Sequence, residues 1–524
     1  LRDVRLAPTA GRDALYKKAA RALGVQQGEI SSLRIQRRGL DARKKQDIHY
    51  NYTLLITLRS GEEKAASRCK TAEIYEEKVY SLPQGDFSAA PRPVIVGFGP
   101  AGMFAALALA EAGLRPIVLE RGADVDTRKK LVDEFWRTGK LDPECNVQFG
   151  EGGAGTFSDG KLNTGTNDER ISWVLARLHE FGAPEQITYD SRPHVGTDVL
   201  INVVRALRER VVSLGGEMRF SSRLVGLETS GGALCAVRVA DGNGEYSLPC
   251  ESAILALGHS ARDTFEMLHD AGIPMEPKGF SMGVRIEHRQ SMVDVSQYGA
   301  EHGALSLPAA EYRLNCKLPD GNSAYTFCMC PGGYVVAAAS EPGRVVTNGM
   351  SYSGRDGENA NSALLVTLRP EDFPYPGALG GMRWQREVES AAYNAAGGYK
   401  APAETVGSFL GTGSAESAVV PTYKPGVAWV SLREVLPEKV SSVLAEAIPA
   451  LGKKLRGFDD PGAVMTAPET RSSSPVRITR GSDRMSTGLS GLYPCGEGAG
   501  YAGGIVSAAV DGLRCAEALL EKLK

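Results

Sequence analysis

The sequence contains no run of about 18 apolar residues, so nothing in it reads as a membrane-crossing helix. The opening Leu1-Arg2-Asp3 is not the start of an apolar signal region. Nine cysteines, an odd number, are scattered with no C-x2-C pair, which excludes a zinc ribbon and a thioredoxin-type dithiol. Neither charge sign is in excess. Sixty Lys+Arg stand against 62 Asp+Glu, and a formal net charge of −2 gives no support for a general nucleic-acid surface. Internal repeats and low-complexity segments are also missing. These absences lead to the expectation of a reduced, cytoplasmic protein that handles small molecules and touches no membrane.

Glycine, by contrast, is abundant. Its 61 residues exceed the usual share of roughly 7%, and their clustering points to backbone packed closely against a ligand. A chain of 524 residues with 42% hydrophobic and 23% charged content is globular and long enough for two to four domains.

Residues 1–88 read as a small α/β unit. Helical spacing runs over 13–23, and Tyr50, Tyr52, Leu54 and Ile56 alternate in a strand over 48–58. The basic run 34–45 between them reads as a solvated turn and strand edge, the alternative being a docking face for a partner. A Pro/Gly/Ser linker covers 82–93. A doubly wound pattern starts at Val94. Residues 266–487 look β-rich, with hairpins expected at Asp320-Gly321-Asn322 and Pro331-Gly332-Gly333, and helices over 385–396 and 435–455.

The strongest motif is Gly97-Phe-Gly99-Pro100-Ala101-Gly102, which fits G-x-G-x-x-G between a strand and an Ala/Leu helix. Gly97 permits the tight turn, Gly99 lets a pyrophosphate approach the backbone, and Gly102 lets helix and strand pack. A helix N-terminus there supplies free N–H groups for phosphate. Glu120 ends the second strand 18 residues beyond Gly102, suited to a ribose 2′-hydroxyl and repelling a 2′-phosphate; Arg121 follows it. This motif requires a dinucleotide without choosing between FAD and NAD. The string Gly411-Thr-Gly413-Ser414-Ala415-Glu416 ends in Glu and has no strand-to-helix context, so only one nucleotide fold is expected.

A second glycine loop, Gly496-Glu497-Gly498-Ala-Gly500-Tyr-Ala-Gly503-Gly504-Ile505, lies between a short strand and a helix. It resembles the second FAD fingerprint of the glutathione-reductase-like flavoproteins. There an acid holds the ribityl chain and a helix N-terminus faces the flavin pyrimidine. A positive helix end suits the negative charge of a reduced flavin. The family usually has Gly-Asp where this chain has Gly496-Glu497. Residues 216–260 follow the family's middle pattern, which implies backbone contact to adenine at Val225 and a turn at Gly258 near the pyrophosphate. His259 is read either as a phosphate contact or as a turn residue.

Further strings narrow the likeness: Gln148-Phe-Gly-Glu-Gly152-Gly153-Ala154-Gly155-Thr-Phe-Ser158-Asp159-Gly160-Lys161, His194-Val-Gly-Thr197-Asp198, Phe327-Cys328-Met-Cys330-Pro, Asn348-Gly-Met-Ser-Tyr352 and Glu469-Thr-Arg471-Ser-Ser-Ser-Pro-Val-Arg477. Over essentially its whole length the chain is similar to the bacterial and plastid family labelled "uncharacterised FAD-dependent dehydrogenase". That resemblance implies an α/β fold. A Rossmann-like, discontinuous FAD-binding domain (89–265 and 488–524) would carry an inserted β-rich α+β substrate domain (266–487), preceded by the N-terminal α/β domain (1–88). It implies non-covalent FAD, with NAD(P)H as a transient donor. The loop bearing Gly153, Ala154, Gly155, Ser158 and Lys161 would wrap the flavin or its pyrophosphate.

Two features bear on the substrate. Cys328 and Cys330 are read as buried thiols before a turn in preference to a redox pair, since a C-x-C disulfide closes a strained ring. Arg471, Arg477 and Arg480 with Ser472–Ser474 make an anion-friendly cluster for substrate or FAD phosphate, the alternative being surface ion pairs. The expected activity is hydride transfer at flavin N5 with a small, anionic organic substrate. The rival readings are a flavin-dependent RNA-modifying enzyme, an O2-using oxidase or monooxygenase, and a non-enzymatic electron relay serving a redox partner.

Overall fold

Three-residue strands of branched apolar side chains, Val94–Val96, Ile117–Leu119 and Ala253–Leu255, form the centre of a wholly parallel five-stranded sheet. Strands Leu492–Pro494 and Glu217–Arg219 flank them. The computed structural model describes residues 1–77, 79–300, 302–413 and 416–524. Because side chains alternate along a strand, this sheet has two apolar faces. Ile95, Val118 and Ile254 pack under the helices Pro100–Glu111, Thr197–Ser213 and Ile505–Leu523. Val94, Val96, Ile117 and Leu119 pack against a three-stranded antiparallel sheet (Arg223–Ser230, Ala233–Asp241, Gly244–Pro249) and the helix Arg262–Asp270. The Pro100–Glu111 helix is buried nearly all round, since the Ile505–Leu523 helix lies directly on it: a Cβ at Gly512 would sit 2.1 Å from the Ala101 carbonyl oxygen.

A seven-stranded mixed sheet builds the second layer. Its two long central strands, Phe280–Arg289 and Asn359–Leu368, run antiparallel in unbroken register from Phe280↔Leu368 to Arg289↔Asn359. One face (Met282, Val284, Ile286) packs on the helix Glu438–Gly452 through Val440, Leu444 and Ala447. On the same strand Arg285 and Glu287 are buried as well. The chain leaves for this layer along Met275–Pro277 and comes back along Val476–Ile478, and these two segments pair as an antiparallel ribbon.

In the N-terminal unit, strands Val4–Leu6, His49–Leu58 and Ile30–Asp41 carry the helix Arg12–Leu23 on one face. The helix and second strand lie where sequence spacing sets them. The basic run divides into a strand edge and a turn: residues up to Asp41 continue a twelve-residue edge strand along His49–Leu58, with a bulge at Gln36, and the chain turns over 42–48.

The turn at Asp320-Gly321-Asn322 joins two paired strands, Asn315–Lys317 and Ser323–Cys330. Pro331-Gly332-Gly333 does not. After it, Tyr334–Ala337 turns away to pair with Thr347–Met350, leaving Ser323–Cys330 between other strands. Gly411 is the left-handed cap of the short helix Val406–Leu410, and Ser414 and Ala415 lie outside the described residues. Among the described residues no helix is long and apolar enough to cross a membrane.

Candidate functional site

The two glycine loops open onto one cleft between the parallel sheet and the seven-stranded layer, enclosing about 1600 Å³ with its open mouth included. Gly97 sits at φ +96°, and a Cβ there would lie 2.6 Å from the Ala256 carbonyl oxygen. A Cβ at Gly102 would lie 1.9 Å from the Gly97 oxygen, so helix and strand touch through this residue. Gly99 is different: a Cβ would meet nothing closer than Gly153 Cα at 3.6 Å, so the space beside it belongs to the cleft. Gly99 is the N-cap of the Pro100–Glu111 helix, and Gly504 is the N-cap of Ile505–Leu523. Neither helix has a side-chain cap, so neither loop's side chains take up the first-turn N–H groups. Residues 99–101 and 503–505 line the same cleft, so two positive helix ends face it.

Glu120 is buried at the cleft wall. One oxygen accepts the N–H groups of Gly122 (3.0 Å) and Gly150 (2.9 Å), the other that of Phe98 (2.9 Å). The carboxylate therefore ties the first glycine loop to the loop around Gly150. Arg128 holds that same loop from beneath. Its wholly buried guanidinium donates to the carbonyls of Asn146 (2.9 Å), Val147 (2.9 Å), Glu151 (2.7 Å) and Gly153 (2.9 Å), with a longer bond to Gly150. Burial pulls its pKa down to about 10. Arg121, also at the cleft, is fixed by Asp263 and Glu144 and lies over the Phe149 ring at 4.1 Å. Further along this wall Gly153, Ala154, Gly155, Ser158 and Lys161 line the cleft, and Lys161 reaches Glu311 at 3.1 Å.

The opposite end is built from side-chain networks. Glu497 accepts His259 Nδ1 (2.7 Å) and the Ser474 N–H (2.8 Å). Burial pushes its pKa up, but the neighbouring His259 and these hydrogen bonds more than offset it and the net direction is down. Arg471 lines the cleft with its side chain only 2% exposed and donates two bonds to Glu389 (3.0 and 2.9 Å) and others to Ser260 and Ser340. Glu389 also accepts two bonds from Arg262 at 2.8 Å, and Arg262 donates further to Glu341 (2.6 Å) and Gln385 (3.1 Å). Arg285 grips Glu469 (2.9 and 2.7 Å) and donates to the Cys328 carbonyl at 2.8 Å. Cys328 occupies a bulge at φ +41° and turns its side chain into the cleft beside Phe327 and Asn348. Packed protein around it raises the thiol pKa to about 11.

Most residues singled out from sequence border this cleft, Gly258 among them. Five do not. Gly102 is internal to the helix–strand contact. Gly496 gives its N–H to Asp511 (2.8 Å) and packs against Ala101. Val225 does not border the cleft, which is lined from its strand by Arg223 and Leu224. Cys330 is fully buried behind the bulge, so of the two expected buried thiols only this one is out of reach; Cys328 is exposed in the cleft. Arg477 lies on the paired ribbon, half exposed, with Glu276 at 3.0 Å and the Tyr501 ring beneath it. The two arginines expected to share an anion are thus separated: one is committed to Glu389, the other is outside the cleft. His259 does sit in a turn, but at the cleft and not on the outer surface: Nδ1 is bonded to Glu497, and Nε2 is buried with no partner among the described residues.

The family described as "FAD-dependent protein, C-terminal domain-like" matches residues 279–472, and one described as a domain of unknown function matches residues 1–57. Among solved structures, a geranylgeranyl bacteriochlorophyll reductase-like protein from Thermoplasma acidophilum gives a TM-score of 0.38 at 12% identity, over 82% of this chain and 79% of its own. A triple mutant of a flavin-dependent brominase gives 0.38 at 12% identity, over 83% and 80%. Likeness at that level carries no argument about activity. An "Uncharacterized protein" of Clostridium beijerinckii (strain ATCC 51743 / NCIMB 8052) is 47% identical over all of this chain and 98% of its own length. The chain belongs to the family of that Clostridium protein, and its residues 279–472 match the FAD-dependent C-terminal family model.

Proposed function

We propose that the cleft binds one FAD non-covalently and that the protein is an FAD-dependent oxidoreductase acting on a small organic substrate. One observation carries this reading: two helix N-termini without side-chain caps, at Gly99 and Gly504, open onto the same glycine-floored cleft. A single phosphate would need only one of them. A dinucleotide with a charged diphosphate and an electron-accepting ring uses both. In this arrangement Gly99 and Ala101, at the uncapped helix end, would hold the diphosphate. Glu120 keeps lone pairs for ribose hydroxyls, and its charge disfavours a 2′-phosphate. The N-terminus at Ile505 favours negative charge on the ring. Bound there, the flavin supplies hydride transfer at N5. The return of the chain through the ribbon of 275–277 and 476–478 supports a Rossmann-like FAD domain interrupted by a substrate-binding layer.

The ring end of the cleft is where substrate would enter, beside Phe327, Cys328, Asn348 and Lys161. Arg477 lies outside, and the cations that line this end, Lys161 and Arg471, are each already paired, Lys161 with Glu311 and Arg471 with Glu389, so a substrate anion would have to share one of them. Nicotinamide cofactor, if used, would visit this same face. The purified protein should be yellow, and heat or acid should release FAD and not FMN on chromatography. Colourless protein that cannot be reconstituted with FAD overturns the reading. Anaerobic bleaching of the flavin across a panel of small organic acids, alcohols and amines identifies the substrate, and peroxide release during turnover would instead favour an oxidase.

A further inference from the structure

We propose that the N-terminal unit is a clamp that sets the position of the Lys161 loop in the cleft, an inference that rests on the flavin reading for one of its two tests. The outer edge of strand Ile30–Asp41 would otherwise present unpaired N–H and C=O groups to solvent. Instead the Arg38 N–H donates to the Tyr189 carbonyl (2.8 Å) and the Ser191 N–H donates to the Arg38 carbonyl (2.8 Å). The Arg38 guanidinium forms a bidentate pair with Asp190 (2.6 and 2.8 Å) and stands over both the Tyr50 and Tyr189 rings at 5.2 and 5.3 Å. Both members of the pair are three-quarters buried, so salt screens it less than a surface pair. Arg37 adds a bond to Ser191 at 3.1 Å.

The segment held in this way does not end at Ser191. Two residues on, the Pro193 carbonyl accepts the Leu162 N–H (2.9 Å), and the Val195 N–H donates to the Gly160 carbonyl (3.1 Å), so Lys161 and His194 bridge antiparallel. Between the two sets of bonds, Arg192 reaches one oxygen of Glu311 (2.9 Å) while Lys161 holds the other. Residues 189–195 are therefore a short connecting segment, bridged at Asp190 to the N-terminal sheet and at His194 to a loop that lines the cleft. Strain or release at Arg38 is transmitted by backbone hydrogen bonds to Lys161. The basic run's central arginine is used inside the chain, and this gives residues 1–57 a role in the cleft that they border only indirectly.

Arg38→Ala tests this, with Asp190→Asn as a milder break from the other side. Arg34→Ala is the control, since Arg34 lies on the same strand but pairs with Glu77. Hydrogen exchange in the full chain should rise at 190–196 and also at 157–162 in both test variants, and not in the control. The dissociation constant for FAD, read by flavin fluorescence, should rise about fivefold or more. Exchange that rises at 189–191 while 157–162 keeps its protection and FAD affinity is unchanged overturns the clamp. If the wild type binds no FAD, the flavin reading fails and the exchange comparison alone decides the clamp.

Discussion

The two ends of the cleft are made of different material. At the first glycine loop the chemistry is presented by backbone: amides at a helix N-terminus, carbonyls gathered by Arg128, and a Glu120 carboxylate that binds only N–H groups of the main chain. At the ring end it is presented by paired side chains, Arg471 with Glu389 and Arg262, Arg285 with Glu469, His259 with Glu497. A backbone-built site depends on the absence of side chains. Its failure on mutation is steric. A site built from buried ion pairs depends on every partner being present, and removing one leaves a charge in a low-dielectric interior.

The largest expected effect breaks the ring end. Glu389→Gln leaves Arg262 and Arg471 buried without their shared carboxylate and should cost about 3–5 kcal/mol in urea unfolding. In the wild type, burial alone would raise the pKa of Glu389, but the two guanidiniums outweigh it and hold the group below the ordinary carboxylate range near 4.3. A depressed folded-state pKa means stability that is present above that range and lost as pH falls through it. Glu389→Gln should therefore flatten the acid limb of the stability profile. An unchanged limb would mean that the ring end does not depend on this charge.

An intermediate effect separates two glycines of one loop. Gly99→Val should leave the melting temperature near that of the wild type while abolishing flavin retention, because its side chain enters open cleft. Gly102→Ala should do the reverse first, costing about 1–3 kcal/mol of stability where its Cβ meets the Gly97 carbonyl. Equal loss of stability in both would erase the distinction. The smallest effect is expected at Arg477→Met, a half-exposed pair with Glu276 worth at most about 1 kcal/mol. Flavin content should not change, and a raised KM with intact flavin would return Arg477 to the substrate site.

The same contrast explains what could be read without coordinates. Gly97, Gly99, Gly102 and Glu120 act within one strand–turn–helix–strand unit, so their spacing along the chain is their spacing in the fold. Val225 lies one residue past Arg223 and Leu224, which line the cleft from the same strand. Arg285 and Glu469 are 184 positions apart and Arg262 and Glu389 127, and no local pattern joins them. Arg285 had no clear signal either: Ser281, Gly283, Arg285 and Glu287 alternate with apolar residues along Phe280–Arg289, the pattern of a strand with one solvated face. Arg471 had none, since a serine- and arginine-rich segment looks alike whether it receives a ligand or closes an internal network. Arg128 sits in the amphipathic helix Val125–Thr138 among charged neighbours, and nothing nearby marks its carbonyl partners.

The order of strands in the parallel sheet also has a consequence for biosynthesis. Val94–Val96 at its centre leaves the ribosome early, but the neighbour beyond Ala253–Leu255 is Leu492–Pro494, and the helix lying on Pro100–Glu111 begins only at Ile505. Until translation reaches that point the nascent chain holds an apolar helix with one flank bare and a nucleotide cleft with one wall missing. The intervening layer, whose central strands and covering helix all lie within 280–469, can close around its own core in the meantime. Completion of the cleft is therefore coupled to completion of the sheet, and a chain stalled before residue 492 would expose the Ala/Leu face of residues 100–111 to chaperones and proteases.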